Sequence, residues 1–364
     1  MIEAPLLDRR VARSQLTGPL TELPMDRQPE DTLGRPLRDL RISVIDQCNF
    51  RCTYCMPREV FGADYPFLRR DELLTFDELE RTARAFIRLG VRKIRLSGGE
   101  PLLRKDLEHL VAQLARLVTL AGEPIDLAMT TNGALLARKA HVLAAAGLRR
   151  LNVSLDALAP ATFARIANTS ASVGDVLDGI ATAHDAGIRH IKINMVVQRG
   201  VNDDQILPMA RHFRGTGHTL RFIEFMDVGT TNGWTAHAVL PSDDVLKQIH
   251  MHFPLEPVAP ATPGEVARRW RYLDGQGEIG LISSVSHPFC GDCSRARLSA
   301  DGKLYTCLFA EQGDDIRSML RAETEDQTLV ARLATRWLSR GDRYSEVRAV
   351  AKRQHKIEMS YIGG

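Results

Sequence analysis

Leu40-Arg41-Ile42-Ser43-Val44-Ile45-Asp46-Gln47-Cys48-Asn49-Phe50-Arg51-Cys52-Thr53-Tyr54-Cys55-Met56-Pro57 joins an apolar, β-branched run to three closely spaced cysteines. Arg41–Ile45 reads as a strand. The cysteines then fall on the loop at its C-terminal end, where βα folds place their chemistry. Three thiolates can hold three irons of a 4Fe-4S cluster, whereas an electron-transfer cluster normally has four. The fourth iron is left open to an outside ligand. A zinc site completed by histidine is the alternative, although structural zinc usually shows two Cys-x-x-Cys-like pairs.

Working outward, a βα rhythm runs for nearly two hundred residues. Thr75 and Glu78 form a capping box, and Phe76, Leu79, Ala83, Phe86 and Ile87 make a helical stripe that stops at Gly90. Strands are expected at Lys93–Ser97, Asp126–Thr130, Arg150–Leu155, His190–Val197 and Thr219–Met226. Between them lie a helix with Leu107, Leu110, Val111, Leu114 and Leu117 on one face, and helices over Leu135–Ala146, Asp175–Ala186 and Asp203–Arg214. Six strands alternating with helices predict an α/β fold with a parallel sheet and right-handed crossovers. Six units fit a partial, incomplete TIM-type βα barrel better than a closed eight-fold one. Beyond about residue 230 short strands follow at Trp270–Leu273, Ile279–Ser283, Ala296–Ser299 and Leu304–Leu308, with turns at Asp274-Gly275 and Asp301-Gly302. The expected organisation is a barrel over residues 37–240 and a small C-terminal α+β domain over 241–364.

The bulk numbers are those of a soluble globular chain. A net charge of +3 on 364 residues does not imply nucleic-acid binding by itself, yet leaves room for a basic cluster that meets an anionic substrate. No apolar run approaches a bilayer span. Residues 1–36 are polar and Pro-interrupted, and their acids (Glu3, Asp8, Glu22, Asp26, Glu30, Asp31) argue against a transit peptide. They read as a flexible extension, and the expected compartment is the cytoplasm.

None of the six cysteines is isolated: Cys290, Cys293 and Cys307 form a second set. In a cytosolic chain such spacing more often serves metal or redox work than structural disulfides. A zinc knuckle and a second cluster with one open iron both remain open here. On a strand, Arg295 and Arg297 point to the same face, which suits phosphate groups or a developing charge; two arginines on a solvated face are the alternative.

The Cys-x-x-x-Cys-x-x-Cys pattern with Tyr54 before its last cysteine, and Gly98-Gly99-Glu100-Pro101 after the second strand, resemble the radical S-adenosylmethionine superfamily. Thr130-Thr131-Asn132-Gly133, Asn152-Val153-Ser154-Leu155-Asp156, Lys192-Ile193-Asn194, Arg221 to Met226, the Cys290 to Cys307 module and Tyr361-Ile362-Gly363-Gly364 narrow it. Over about residues 35 to 364 the chain resembles the GTP 3′,8-cyclase family of molybdenum-cofactor biosynthesis.

That resemblance implies two 4Fe-4S clusters, one on Cys48, Cys52 and Cys55 and one on Cys290, Cys293 and Cys307. It implies S-adenosylmethionine on the first open iron, lined by Tyr54, Gly99, Ser154 and Met226, with the glycines admitting the ligand. It implies GTP among Arg41, Arg95, Thr130, Lys192, Arg295, Ala296 and Arg297, its guanine on the second open iron. The implied reaction is abstraction of the ribose 3′ hydrogen by a 5′-deoxyadenosyl radical and attack of the carbon radical on C8. Arg295 and Arg297 are the candidate catalytic residues that quench the cyclised radical. The implied partners are an electron donor for cluster reduction, a second copy in a homodimer, and the cyclic pyranopterin monophosphate synthase that takes the product, with neither nucleic acid nor membrane. The terminal Gly363-Gly364 is expected in the active site. A peptide-modifying radical enzyme and a zinc-stabilised nucleotide-binding protein are the rival readings. The lead-in and the loop Ala167–Gly174 depart from the family pattern and are expected to lie away from any ligand.

Overall fold

The computed structural model describes residues 28–260, 264–322, 324–350 and 355–363. Local chemistry sets the first unit. After β1 (Asp39–Ser43), Thr75 Oγ1 accepts from the Glu78 amide at 3.1 Å while the Glu78 carboxylate accepts from the Thr75 amide at 2.6 Å, opening α1 (Phe76–Arg88). Gly90, at φ +98°, releases the chain from that helix into β2 (Lys93–Ser97). The rhythm continues through α2 (Leu107–Ala115), β3 (Asp126–Thr131), α3 (Leu136–Ala145), β4 (Arg150–Ser154), α4 (Pro160–Ala167), α5 (Val173–Asp185), β5 (His190–Val197), α6 (Ile206–Phe213) and β6 (Thr219–Glu224). Then come α7 (Ser242–His252), β7 (Leu255–Val258), β8 (Arg268–Tyr272), β9 (Glu278–Ile282), β10 (Arg295–Leu298), β11 (Lys303–Tyr305) and β12 (Asp314–Asp315). Four helices follow: α8 (Arg317–Arg321), α9 (Asp326–Leu338), α10 (Tyr344–Val347) and α11 (Met359–Ile362).

Among the described residues, twelve strands join one sheet in the order β12-β11-β10-β1-β2-β3-β4-β5-β6-β9-β8-β7. The parallel run holds eight strands rather than the expected six, because β10 pairs parallel with β1 and β9 pairs parallel with β6. The region after residue 240 is thus continuous with the sheet and supplies both of its flanks, where the sequence reading set it apart. Exposed strand edges seek partners, and here the chain provides its own.

The central strands alternate strictly. Leu40, Ile42, Ile94, Leu96, Leu127, Met129, Leu151, Val153, Ile191, Ile193, Leu220 and Phe222 are buried in the apolar core. The intervening positions include Arg41, Lys93, Arg95, Arg150, Asn152, Lys192 and Arg221, with Ala128 and Thr130 on β3 between them. Parallel sheets usually bury two apolar faces. This one turns an apolar face to its helices and a cationic face the other way, and the second face positions the site. Among the described residues no helix is long and apolar enough to cross a membrane.

The expected extension over residues 1–36 needs correction. Residues 1–27 lie outside the described residues, but within 28–36 Pro29, Asp31 and Arg35 are buried. The side chains of Asp31 and Arg35 are 0% and 2% exposed and form an ion pair at 2.7 Å. Gln28 Nε2 donates to the Leu37 carbonyl at 2.7 Å. An acid and a base that neutralise each other inside the fold look, in sequence, like two solvated charges.

Candidate functional site

The first cysteine loop is built on the ends of β1 and β2. The Gly99 amide donates to the Ile45 carbonyl at 2.9 Å and the Glu100 amide to the Gln47 carbonyl at 2.8 Å. A Cβ on Gly98 would stand 2.2 Å from the Ile45 oxygen, and one on Gly99 would stand 2.1 Å from the Gln47 oxygen. The two glycines therefore admit the backbone that leads into Cys48, a need the sequence reading had assigned to a ligand.

Glu100 ties this turn to the next strand. Its buried carboxylate accepts from the Leu102 amide at 3.0 Å, the Thr131 hydroxyl at 2.7 Å and the Asn132 amide at 2.7 Å. Asn132 Nδ2 in turn donates to Asn49 Oδ1 at 2.8 Å and reaches Cys48 Sγ at 3.7 Å. The last carbonyls of α4 close the other side: Arg51 N donates to Ala167 O at 2.9 Å and Thr53 N to Ile166 O at 3.0 Å. Asn168, Thr169 and Ser170 line a cleft with Cys48, Arg51 and Arg58. The loop expected to lie away from any ligand thus borders the cysteines. The Tyr54 hydroxyl donates to Asp156 at 2.7 Å, and Cys52 and Cys55 pack with Tyr54, Phe225 and Met359. Burial, and then the Glu100 charge, push the Cys48 thiol up to about 12. Burial likewise drives Cys52 and Cys55 well up, and holds Asp156 at about 6.

The second set lies at the opposite end of the strands, because Cys290 and Cys293 precede β10 whereas Cys48 follows β1. Cys307 follows β11, antiparallel to β10, and so returns to the same end. Burial would raise the Cys293 thiol, but the guanidiniums of Arg295 and Arg340 more than offset it and bring it down to about 6. Arg340 Nη2 donates to Cys293 Sγ at 3.1 Å, and Arg35 Nη1 donates to the Cys290 carbonyl at 2.7 Å. The lead-in expected to stay remote thus braces this site. All six cysteines are unbridged thiols. Among the described residues, no three Cys, His, Asp or Glu side chains are gathered around a single-ion site. Thiolates that each bind a different iron need no such gathering.

Between the two ends runs the cationic face. Lys93, Arg95, Arg150, Asn152, His190, Lys192 and Arg221 line one small, partly open pocket. Strand register extends the row from Arg95 to Arg41 and on to Arg297. The cations press on one another. Burial, and then neighbouring guanidiniums, hold Arg41 well below its ordinary value and bring Arg221 and Arg297 down to about 9. Burial and the same neighbours hold Lys93 and Lys192 at about 8. Three acids offset part of this charge: Asp126, 2.5 Å from Arg150 and 3.7 Å from Lys93, Asp39, which acts on Arg41, Lys93 and Arg95, and Glu265, which acts on Lys192 and Arg221; Arg221 also leans on the amide oxygens of Asn152 and Asn194 at 2.6 and 2.9 Å. Such an excess of buried positive charge is a receptor for a polyanion.

The expected site residues fall into place unevenly. Thr130 is joined to this face through Asn152 Nδ2 at 3.4 Å. Arg295 stacks on Phe289 with its guanidinium 5.2 Å from the ring and is drawn to the Cys293 thiolate. Arg297 donates to the Gly363 carbonyl, which brings the tail against β10; Gly364 lies outside the described residues. Ala296 turns its side chain into the apolar core and offers only backbone. Ser154 ends β4, and Met226, expected near the first cysteines, packs on the apolar cluster of Val228, Phe309 and Tyr344 that Cys307 also meets. Sequence reasoning missed Lys93, Arg150 and His190, and assigned no role to Arg221. Their shared parity with Arg95 and Lys192 along the strands was the available signal.

Comparison with known proteins adds three observations. Residues 42–213 match the family described as the Radical SAM superfamily, and residues 218–346 match the one described as Molybdenum Cofactor Synthesis C. The chain is 53% identical over 360 residues to the GTP 3′,8-cyclase of Acidothermus cellulolyticus, covering 92% of this chain and 98% of that one. It is 49% identical over 342 residues to that of Staphylococcus haemolyticus, covering 93% and 99%. In fold it is similar to Streptococcus suis SuiB, solved with S-adenosylmethionine, at a TM-score of 0.58 and 13% identity over 86% of this chain and 68% of that one.

Proposed function

The chain belongs to the GTP 3′,8-cyclase family of radical S-adenosylmethionine enzymes, and we propose from that membership and this geometry how it acts. It converts GTP to (8S)-3′,8-cyclo-7,8-dihydroguanosine 5′-triphosphate, the first step of molybdenum-cofactor biosynthesis. One observation carries the reading: two three-cysteine loops at opposite ends of the β1–β10 pair, with a buried cationic face between them. Five residues of β1 at about 3.3 Å each separate the ends by about 17 Å, the scale of a nucleoside triphosphate.

In this reading Cys48, Cys52 and Cys55 hold the first 4Fe-4S cluster, and Tyr54, Gly99, Ser154 and Met226 line S-adenosylmethionine. When bound, that pair supplies a 5′-deoxyadenosyl radical. Cys290, Cys293 and Cys307 hold a second cluster. Arg41, Arg95, Thr130, Lys192, Arg295 and Arg297 receive GTP, joined by Lys93, Arg150 and Arg221 from the cavity. These cations orient the triphosphate and draw it out of water, so that their mutual repulsion in the free protein turns into attraction for the substrate. Arg295 and Arg297 stand where charge develops at the cyclised nucleotide. The buried Arg297 and the Gly363 carbonyl it holds exclude water from that end.

We further read the parallel strands as a partial barrel. Arg221 on β6 and Arg95 on β2 act on each other electrostatically and line one cavity although three strands lie between them, which a flat sheet would not allow. Of the division into a 37–240 barrel and a 241–364 GTP-binding part, the two family matches support the two parts but meet near residue 215, and β9 and β10 complete the parallel run of the first. A homodimer, an electron donor, transfer of product to the cyclic pyranopterin monophosphate synthase, and a cytoplasmic setting complete the proposal.

The test is anaerobic reconstitution followed by dithionite, S-adenosylmethionine and GTP. The expected result is about eight irons per chain, GTP-dependent 5′-deoxyadenosine and a new isomer of GTP. Deoxyadenosine formation that ignores GTP would discard the substrate, and a zinc-loaded, colourless protein would discard the whole reading.

A further inference from the structure

Asp31, Arg35 and Arg340 form a buried triad that the proposed reaction does not use. The side chains of Asp31 and Arg340 are 0% and 1% exposed and stand 3.0 Å apart, while Arg35 Nε donates to the same carboxylate at 2.7 Å. Arg340 is fixed further. Its guanidinium lies 4.6 Å over the Trp337 ring, and Trp337 Nε1 donates to the Arg35 carbonyl at 3.0 Å. Burying two guanidiniums on one close carboxylate is costly unless more negative charge completes the set. Asp342 stands 3.8 Å from Arg340 Nε and is engaged by Thr306 at 2.6 Å. The nearer acceptor is sulfur: Arg340 Nη2 donates to Cys293 Sγ at 3.1 Å and Nη1 to the Cys293 carbonyl at 2.6 Å.

We propose that Arg340, aimed by Asp31, is a positioning residue for the second cysteine site that fixes the Cys293 thiolate and raises the reduction potential of the cluster bound there. The proposal rests on the reading of Cys290, Cys293 and Cys307 as a cluster site. A charged donor on a cluster sulfur stabilises the added electron, so its removal lowers the potential. Hydrogen bonds from the outer shell tune bound metal centres in this way generally. The buried pair Asp31 and Arg35 thereby takes on a part in the chemistry.

The experiment is a redox titration of the anaerobically reconstituted full chain, followed by electron paramagnetic resonance with and without GTP, together with iron content. The second-site signal is the one that GTP alters. In Arg340→Gln its reduced-to-oxidised ratio at a fixed potential should fall about tenfold, equivalent to 59 mV for one electron. Asp31→Asn should shift it the same way by less, Arg340→Lys should restore part of it, and the first-site signal should stay in place. Should Arg340→Gln fail to fold, Asp31→Asn and Arg340→Lys carry the same comparison. Eight irons with an unmoved GTP-responsive midpoint in the variants that fold would overturn the proposal. About four irons in the wild-type protein would overturn the second-cluster reading itself, and the proposal with it.

Discussion

The two cysteine loops solve one problem in opposite ways. At the first, buried thiols face carboxylates: Glu100 and Asp156 both act to raise them, and Arg51 offsets little. At the second, Arg295 and Arg340 hold Cys293 near 6. The first loop is organised by backbone, through glycines, helix-end carbonyls and the Glu100 network. The second is organised by charge. A site shaped by close backbone approach is sensitive to volume, whereas one shaped by guanidiniums is sensitive to charge and tolerant of volume.

Substitutions can break that contrast in order of effect. Gly99→Ala drives a methyl group into the Gln47 carbonyl. It should abolish activity and lower iron from about eight to about four per chain, with the second site intact; full iron retention would refute the backbone account. Arg297→Ala removes a buried cation at the charged end, and kcat/KM for GTP should fall about 100-fold, the loss of one strong charge-assisted contact, with iron unchanged. Normal cyclisation in both Arg295→Ala and Arg297→Ala would remove their catalytic assignment.

Lys192→Met should raise the KM for GTP about tenfold while raising the melting temperature of the ligand-free protein, because it relieves repulsion. A melting temperature that falls would mean the cations are already paired. The pH dependence follows from the same groups. Lys93 and Lys192 are depressed from 10.5 to about 8 in the fold, so the free protein is unpenalised above 10.5 and loses stability as pH falls toward 8. GTP reverses the depression, and binding should take up protons between about 8 and 10.5. Calorimetry in two buffers of different ionisation enthalpy reads that uptake directly. The smallest effect is expected at Glu100, which burial raises from 4.5 to about 7. Its contribution to stability is fully present below 4.5 and is lost as pH rises through 7. Glu100→Gln should flatten that window in denaturant titrations of the cluster-free protein, where Arg340→Gln should leave it unchanged.

Much of this architecture was legible because period-two and helical patterns are local. β2 and β5 lie where the alternation of Lys93–Ser97 and His190–Val197 put them. Before residue 260 two helices were not read: α4, although Pro160 marks its first turn, and α7, whose Ser242-Asp243-Asp244 start resembles a loop. The spacing of the cysteines singled out both loops, while leaving zinc and a cluster open at the second. What stayed hidden was long-range. Arg340 meets Asp31 across three hundred residues of chain, and Arg150 joins Arg95 only once the register is known. Isolated charges in a sequence do not say whether water or a partner awaits them. The shared parity of Lys93, Arg95, Arg150, Lys192 and Arg221 did carry the information, and reading it needed the strands set side by side.

The pairing of β10 with β1 and of β9 with β6 has a consequence for the birth of the molecule. Asp39–Ser43 leaves the ribosome long before Arg295–Leu298, and at about 5–20 residues per second the interval is on the order of tens of seconds. Throughout it the nascent parallel sheet has two raw edges, one at each flank, with a cationic face still open between them. The last third of the chain supplies the strands that cover both edges, and it arrives late. Its release from the ribosome, rather than the collapse of the βα units, sets the moment at which the nascent protein stops being a template for aggregation.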